Sequence, residues 1–247
     1  MNRIPAIRDA AVDGSSDLAT LLRNCRILAS EIKNQALAEW AKSELDGYPQ
    51  TAELPEYHIL RNMVHLGNFV GIAGSGIKNF SLEISRLPEQ FREHFSVREL
   101  RQGVQELKQL IGSYTDNFIQ LSWEPEIYGV FDHSGFRPDL RLAQAWSVVP
   151  AARLEGTLDA IRNKVLTFVL ELEALGIGAD DEGKIGTIDT PTSDRITQIF
   201  NQTIYGSVSN VGYAGKVSTV SHVVLGNLQS LTRRCKLQAL RKTKYAI

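Results

Sequence analysis

Apolar residues recur at helical spacing in several stretches of the chain, where they follow one another at steps of three and four. The first stretch covers residues 18–32 and begins behind Ser15 and Ser16, whose hydroxyl groups are typical helix caps. The second covers residues 37–45 and ends at Gly47, a residue type that commonly terminates helices. Both stretches predict amphipathic helices, each with an apolar face that has to be buried.

Two further stripes lie in the middle of the chain. The stripe over residues 97–111 predicts one continuous helix, and the proline- and glycine-rich residues 123–138 predict a loop with one short turn of helix. The stripe over residues 151–175 is the most regular, since its apolar positions alternate at steps of four and three. That spacing is typical both of a coiled-coil seam and of a helix packed along a bundle. Val169 and Leu170 widen the apolar surface, which favours packing in the core.

Extended chain is predicted for residues 57–70, where apolar and polar residues mix without a helical period. Gly71, Gly74 and Gly76 follow directly. Their spacing does not match a phosphate-binding loop, because Ile77 stands where such a loop requires lysine. The three glycines therefore predict a tight turn or hairpin between strands.

The sequence divides into three parts. Residues 1–176 form a predicted helical body with a small β element, and the glycine- and acid-rich start of residues 177–195 is typical of a linker. Residues 196–247 are rich in valine, serine and asparagine, and their apolar positions are spaced like extended chain. This last part is predicted to be a β-rich extension that ends in a short basic helix starting near Leu228. The fold class is accordingly α+β and predominantly helical.

The composition is that of an ordinary globular domain, with 43% hydrophobic and 22% charged residues. Two cysteines, Cys25 and Cys235, are too few for a disulfide scaffold or a cysteine-based zinc site. No apolar stretch is long enough to span a membrane, and the amino terminus lacks the apolar core of a secretory signal. We therefore expect a cytoplasmic protein.

The net charge of −1 conceals a strong asymmetry along the chain. Residues 195–247 carry 8 lysines and arginines and no acidic residue, while the preceding residues are acidic in balance. Six of these basic residues form a cluster that could contact an anionic partner: Arg233, Arg234, Lys236, Arg241, Lys242 and Lys244. The cluster is open to three interpretations: nucleic-acid binding, a solvated tail that docks on the acidic body, and contact with a membrane surface. The membrane contact is the least favoured of the three.

Several segments together resemble the AbiTii family of bacterial proteins. The chain carries, in order, LAEWAKSELDGYP, ELPEY, GNFVGIAGSGIKNFSLEISRLPEQFREHF, RELRQGVQELKQL and LEGTLDAIRNKVLTFVLELE. The residues that define the resemblance are Trp40, Pro55, Tyr57, Pro88, Arg101, Trp146, Arg162 and Asn163. The family is named after abortive phage infection, so the resemblance implies a component of bacterial antiviral defence. It assigns no catalytic residue to this chain.

The sequence contains no recognisable catalytic, cofactor or metal site. Its five histidines are scattered, without the spacing of a helical metal site. Arg162 and Asn163 stand out as polar residues in the most apolar predicted helix, where they either tie that helix to a loop or line a ligand site.

Two functional hypotheses follow. The first is a non-enzymatic assembly or regulatory component of an abortive-infection system, which forms homo-oligomers through residues 200–226 and contacts a co-encoded defence protein. The second is a nucleic-acid-binding protein that acts through its basic tail. Neither hypothesis requires a cofactor.

Overall fold

The computed structural model describes residues 3–113, 118–132, 139–177 and 188–206. Contacts within the chain separate two units, Met1–Val208 and Ser209–Ile247, and all described residues belong to the first. The predicted β-rich extension beyond residue 206 and its basic helix therefore lie outside the described residues. Within the described part, no helix is both long and apolar enough to cross a membrane.

Three helices begin the chain: α1 (Arg3–Val12), α2 (Leu18–Glu31) and α3 (Gln35–Asp46). The helices α2 and α3 confirm the first two predicted stripes, whereas α1 was not predicted. The predicted serine cap of α2 is wrong, since the Asp17 carboxylate accepts the Thr20 backbone N–H at 2.9 Å. The hydroxyls of Ser15 and Ser16 instead donate to Asp13, which orders the turn before the helix.

The stripe at residues 151–175 forms the longest helix, α7 (Ala151–Ala174). Its seam residues are buried against the amino-terminal helices of the same chain, among them Ile161, Val165 and Phe168. The prediction of core packing is confirmed, because a seam already covered within one chain is not free to form a coiled coil with another.

A last helix, α8 (Thr190–Tyr205), begins behind the Asp189 cap and carries a proline in its first turn. The extended conformation predicted for residues 196–247 is therefore wrong for residues 196–205. Ile196, Phe200 and Ile204 repeat every four residues and are buried in the core shared with α7. The predicted boundary at residue 195 falls inside α8, and the wider division into body, linker and extension stays a prediction.

Two antiparallel sheets occupy the middle of the chain. The smaller pairs β1 (Ile59–Arg61) with β4 (Val97–Glu99). The larger has the order β3 (Gly76–Ser81), β2 (Val64–Gly71), β6 (Leu140–Pro150), β5 (Phe118–Ser122). The strands β1 and β2 confirm the extended chain predicted for residues 57–70. The hairpin predicted at the glycines is confirmed by the pairing of β2 with β3.

Short helices connect the strands, and here the predictions hold only in part. The expected continuous helix over residues 97–111 is wrong, because its first residues form β4 and α5 (Val104–Ser113) starts only later. Gly103 separates the two: a side chain there would strike the carbonyl oxygen of Leu45. The remaining helices are α4 (Glu89–Ser96) and α6 (Glu126–Asp132), the latter being the helical turn predicted in the loop. The strands β5 and β6 were not predicted.

The structure is thus a mixed α+β fold with eight α-helices among its described residues. This agrees with the predicted, predominantly helical class, although the β component is larger than the small element expected.

Candidate functional site

The two faces of the four-stranded sheet differ in their surroundings. Along β2, the residues His65, Gly67 and Phe69 are buried, while Val64 and Leu66 alternate with them on the opposite face. The buried face packs against α4 and α6 through an aromatic cluster. The opposite face is open and partly apolar, which is unusual for a sheet surface and marks it as a candidate site.

A groove of about 470 Å³ lies over this open face. We use "the groove" for the depression whose floor contains Val64, Leu66, Phe118, Trp146 and Val148. The strand register brings these residues together, since Leu66 pairs with Trp146 and Val64 with Val148 across β2 and β6. Val64 and Phe118 are 55% and 49% exposed, so the floor presents large apolar surface to solvent.

One end of the groove is basic. Arg61 is the last residue of β1, and Arg153 comes from the first turn of α7. An Nη2 hydrogen of Arg153 is donated to the Arg61 carbonyl oxygen at 2.9 Å, which holds the two residues side by side. The Arg61 guanidinium is itself paired with Glu56 at 3.1 Å. Among the described residues, Arg153 forms no ion pair with a carboxylate.

Trp146 adds a polar feature to the apolar floor. Its indole N–H is buried and has no hydrogen-bond acceptor within the described residues. The other two tryptophans are satisfied, because Trp40 donates to Tyr57 and Trp123 donates to Ser147. Buried polar groups are rarely left without a partner in native proteins, and the described residues include one other such atom, the side-chain oxygen of Gln102, which lies outside the groove.

A second constellation of polar residues connects α3 to β1. We call Glu44, Tyr48, Tyr57 and His58 the Glu44 cluster. One carboxylate oxygen of Glu44 accepts the hydroxyl groups of Tyr48 and Tyr57, each at 2.7 Å. The other lies 2.9 Å from His58 Nε2. His58 Nδ1 lies 2.6 Å from the Leu100 carbonyl oxygen, so both ring nitrogens of His58 are in contact with oxygen atoms of the same chain.

Burial determines what the Glu44 cluster can do. The side chains of Glu44 and His58 are both 0% exposed. Burial, reinforced by the neighbouring Glu44 carboxylate, raises the pKa of Tyr48 and of Tyr57, so both phenols stay protonated donors. Every hydrogen-bonding group of the pair is already used within the chain. The arrangement therefore joins α3, the following loop and the turn that leads into β1, and it leaves no group directed toward a substrate.

Neither the groove nor the Glu44 cluster was predicted from the sequence. The scattered spacing of the histidines hid the partnership of His58 with Glu44, which are 14 residues apart. The tyrosines that complete the cluster were visible as LDGYP and ELPEY, but their approach depends on the loop between α3 and β1. The groove was missed because two of its strands, β5 and β6, were missed.

The structure places one residue of the predicted Arg162 and Asn163 pair clearly. Arg162 donates to the carbonyl oxygens of Ala10, Asp13 and Ser16 at 2.6–3.0 Å. These bonds connect α7 to the end of α1 and to the loop between α1 and α2. They are contacts of the kind described by the interpretation in which the pair ties its helix to a loop. Asn163 is exposed on α7 and lies outside the groove.

The six basic tail residues lie outside the described part of the chain: Arg233, Arg234, Lys236, Arg241, Lys242 and Lys244. Their predicted role stays a prediction. Within the described residues, no group of three or more His, Cys, Asp or Glu side chains is arranged to hold a metal ion.

The resemblance noted in the sequence is tested by comparison with a family model. The AbiTii model matches residues 4–199, which is most of the chain and nearly all of the described fold. The chain belongs to the AbiTii family. This membership connects the protein with abortive infection. No curated protein and no solved structure matches the chain.

The residues that carried the resemblance to AbiTii proteins take part in the contacts described above. Trp40 and Tyr57 belong to the hydrogen bonds around Glu44, and Trp146 lies in the groove floor. Arg101 bonds the carbonyl oxygens of Pro49 and Ala52. The family match over residues 4–199 therefore includes both the Glu44 cluster and the groove.

Proposed function

We propose that this protein is a non-enzymatic assembly or regulatory component of an abortive-infection system, and that it recognises its partner molecule through the groove. The observation that carries the proposal is the open, apolar sheet face with an arginine pair at one end. Recognition sites are typically concave, mostly apolar and equipped with a few polar groups that orient the bound molecule.

The chemistry of the described side chains supports a role in recognition. The groove residues offer apolar surface, amides and guanidinium groups, which bind well but do not act as nucleophiles or general bases near neutral pH. The buried carboxylate and imidazole of the Glu44 cluster are paired with each other, away from solvent. A component of this kind depends on another molecule for its effect.

Substitution of Val64 by glutamate tests the use of the groove. Val64 is an exposed valine of β2 on the groove floor, so a carboxylate there should place charge on the apolar surface without disturbing the core. We expect Val64→Glu to abolish phage protection, measured as plating efficiency on cells that carry the complete defence locus.

Val70→Glu is the matched control. Val70 lies on the same strand and is similarly exposed, at 52%, but does not line the groove. The Val70 variant should protect like the unmodified protein, and both variants should show the same thermal unfolding temperature. Full protection by a folded Val64 variant would contradict the proposed use of the groove.

Self-association belongs to the same proposal. The valine-rich residues 200–226 were the predicted contact, and of these residues 200–205 are helical and partly buried. We propose that a homo-oligomer forms through the remainder and that a co-encoded defence protein binds the assembly. Light scattering at micromolar concentration measures the oligomeric state. A protein that stays monomeric and does not bind the product of the neighbouring gene would contradict the proposal.

Nucleic-acid binding is a second candidate function, favoured by six basic residues within twelve positions of the tail. Binding of this kind weakens steeply with salt, with a log–log slope of about −0.9 per phosphate contacted on duplex DNA. Affinity for duplex DNA should therefore fall sharply between about 50 and 200 mM salt. Replacing Arg233, Arg234 and Lys236 by glutamine should reduce that slope; a salt-independent affinity would argue against this function.

A further inference from the structure

We propose that the groove binds a small amphipathic anion, whose apolar body covers the sheet face and whose carboxylate or phosphate pairs with Arg153. This inference rests on the proposed function, to which it adds the chemical class of the bound molecule.

The size of the groove favours a small molecule. Its volume of about 470 Å³ falls within the range of about 300–1,000 Å³ that is typical of small-molecule sites. A stable protein partner would instead cover about 800 Å² on each side, usually over a much broader surface. The groove is a local depression between the turn after β1, the sheet and the start of α7.

The distribution of polarity specifies the ligand further. The floor is apolar along β2 and β6, and the charged groups lie together at the end formed by Arg61 and Arg153. A ligand that satisfies both regions must be apolar along its body and acidic at one end. A neutral apolar molecule would leave the cationic end uncompensated, and a fully polar anion would leave the floor exposed to water.

Arg153 is the better placed of the two cations. Arg61 already pairs with Glu56, whereas the described contacts of Arg153 use one of its five N–H groups, for the Arg61 carbonyl. The remaining donors match the oxygen spacing of a carboxylate or phosphate. The bond to the Arg61 carbonyl also keeps the guanidinium in position before a ligand arrives.

The indole of Trp146 also contributes to the apolar floor. Its ring lines the groove on β6, opposite Leu66 of β2 in the strand register. It therefore extends the apolar surface that the body of a ligand would cover.

The test uses the full chain and two dyes that differ in one group. The anionic dye 8-anilinonaphthalene-1-sulfonate and the neutral dye N-phenyl-1-naphthylamine share their ring systems, but the second lacks the sulfonate. We expect the anionic dye to bind in a one-to-one complex by fluorescence titration. Decanoate should displace it at concentrations at least about tenfold lower than decan-1-ol, because loss of a charge-assisted hydrogen bond costs about 1.5–3 kcal/mol.

Variants assign the charge recognition to Arg153. The change Arg153→Gln should weaken the anionic dye about tenfold and leave the neutral dye unchanged, while Arg153→Lys should recover part of the loss. Arg26→Gln, at an exposed arginine of α2 outside the groove, is the matched control and should change neither affinity. Val64→Glu should weaken both dyes.

Several results would overturn the inference. Suppose that the two dyes bind the unmodified chain with equal affinity and that neither affinity changes in the Arg153→Gln variant. That result would show that the groove does not select anions. Anionic-dye binding that falls as protein concentration rises would identify a second copy of the chain as the occupant. If neither dye binds but Val64→Glu still abolishes protection, the ligand class is wrong while the proposed function stands. Full protection by the folded Val64 variant would instead remove the proposed function itself.

Discussion

At the scale of single residues, the structure predicts a large effect on stability for substitutions of Glu44. Its carboxylate accepts two phenol hydroxyls and faces the imidazole of His58, and the Glu44 and His58 side chains are fully buried. A buried pair of this kind contributes little to stability while both partners are present, but removal of one partner leaves the other buried without its hydrogen bonds.

We therefore expect Glu44→Ala to lower the free energy of unfolding by roughly 3–5 kcal/mol in urea denaturation followed by circular dichroism. Glu44→Gln should cost less, because an amide oxygen still accepts the two hydroxyls and its N–H can face a neutral His58. Glu39→Gln is the control on the exposed face of the same helix, with an expected change within about 0.5 kcal/mol. Equal losses for the two Glu44 variants would contradict this account.

His65 predicts how stability depends on pH. Its ring is buried beside Phe95 and Trp123, with Nδ1 2.9 Å from the Ser147 hydroxyl, and burial lowers its pKa below the ordinary 6.5. As the pH falls, the unfolded chain therefore binds a proton at His65 more readily than the native state does. The stabilising contribution is present above about pH 6.5 and is lost as the pH falls.

In urea denaturation at a series of pH values, the midpoint should therefore decrease between about pH 7 and pH 5. His65→Gln should flatten this decrease, since glutamine does not titrate. An unchanged slope in the His65 variant would show that another group controls the transition.

At the scale of secondary-structure elements, the prediction of extended chain was wrong for the second half of α8. Its segment is rich in uncharged polar residues that occur in both helices and strands, so composition favoured extended chain. The deciding signal was the spacing of Ile196, Phe200 and Ile204, which places all three on the face that meets α3 and α7. The Phe200 ring lies edge-on to Trp40 and Phe168, with centroid distances of 6.0 and 5.6 Å.

If α8 completes this core, Phe200→Ala should lower the free energy of unfolding by roughly 3–5 kcal/mol. Gln202→Ala tests the exposed side of the same helix and should have little effect, since alanine also favours helix. Both variants can be compared by thermal unfolding. A Phe200 variant as stable as the unmodified chain would mean that α8 contributes little to the fold.

At the scale of the whole molecule, the described residues, the last of which is Gly206, form three hydrophobic clusters. We expect truncation after Gly206 to leave a cooperatively folded protein. Truncation after Thr197 should instead give a destabilised one, because it removes Phe200 and Ile204 from the core. Circular dichroism and thermal unfolding distinguish the two cases.

Phage protection by the variant truncated after Gly206 then tests the role of the tail separately from folding. Under the proposed function, the folded protein that lacks the basic residues should no longer protect its host. Protection that persists would show that the tail is dispensable and would remove both the self-association and the nucleic-acid proposals.

The sequence by itself determined the local features of this protein. The helical stripes of α2, α3 and α7, the strand of β2 and its glycine hairpin depend on residues close in the chain, so their periodicity was sufficient. The ordered family segments were likewise readable without coordinates, and the family match agrees with them.

Only the tertiary structure decided which residues meet. Glu44 and His58, His65 and Ser147, and Arg61 and Arg153 are separated by 14, 82 and 92 residues. Their contacts depend on the pairing of strands that the sequence pattern did not predict. They also depend on which face of the sheet the helices cover. Periodicity indicates that a residue lies on a buried or an exposed face, but it does not specify the partner across that face. For that physical reason the groove and the Glu44 cluster became visible only in the folded chain.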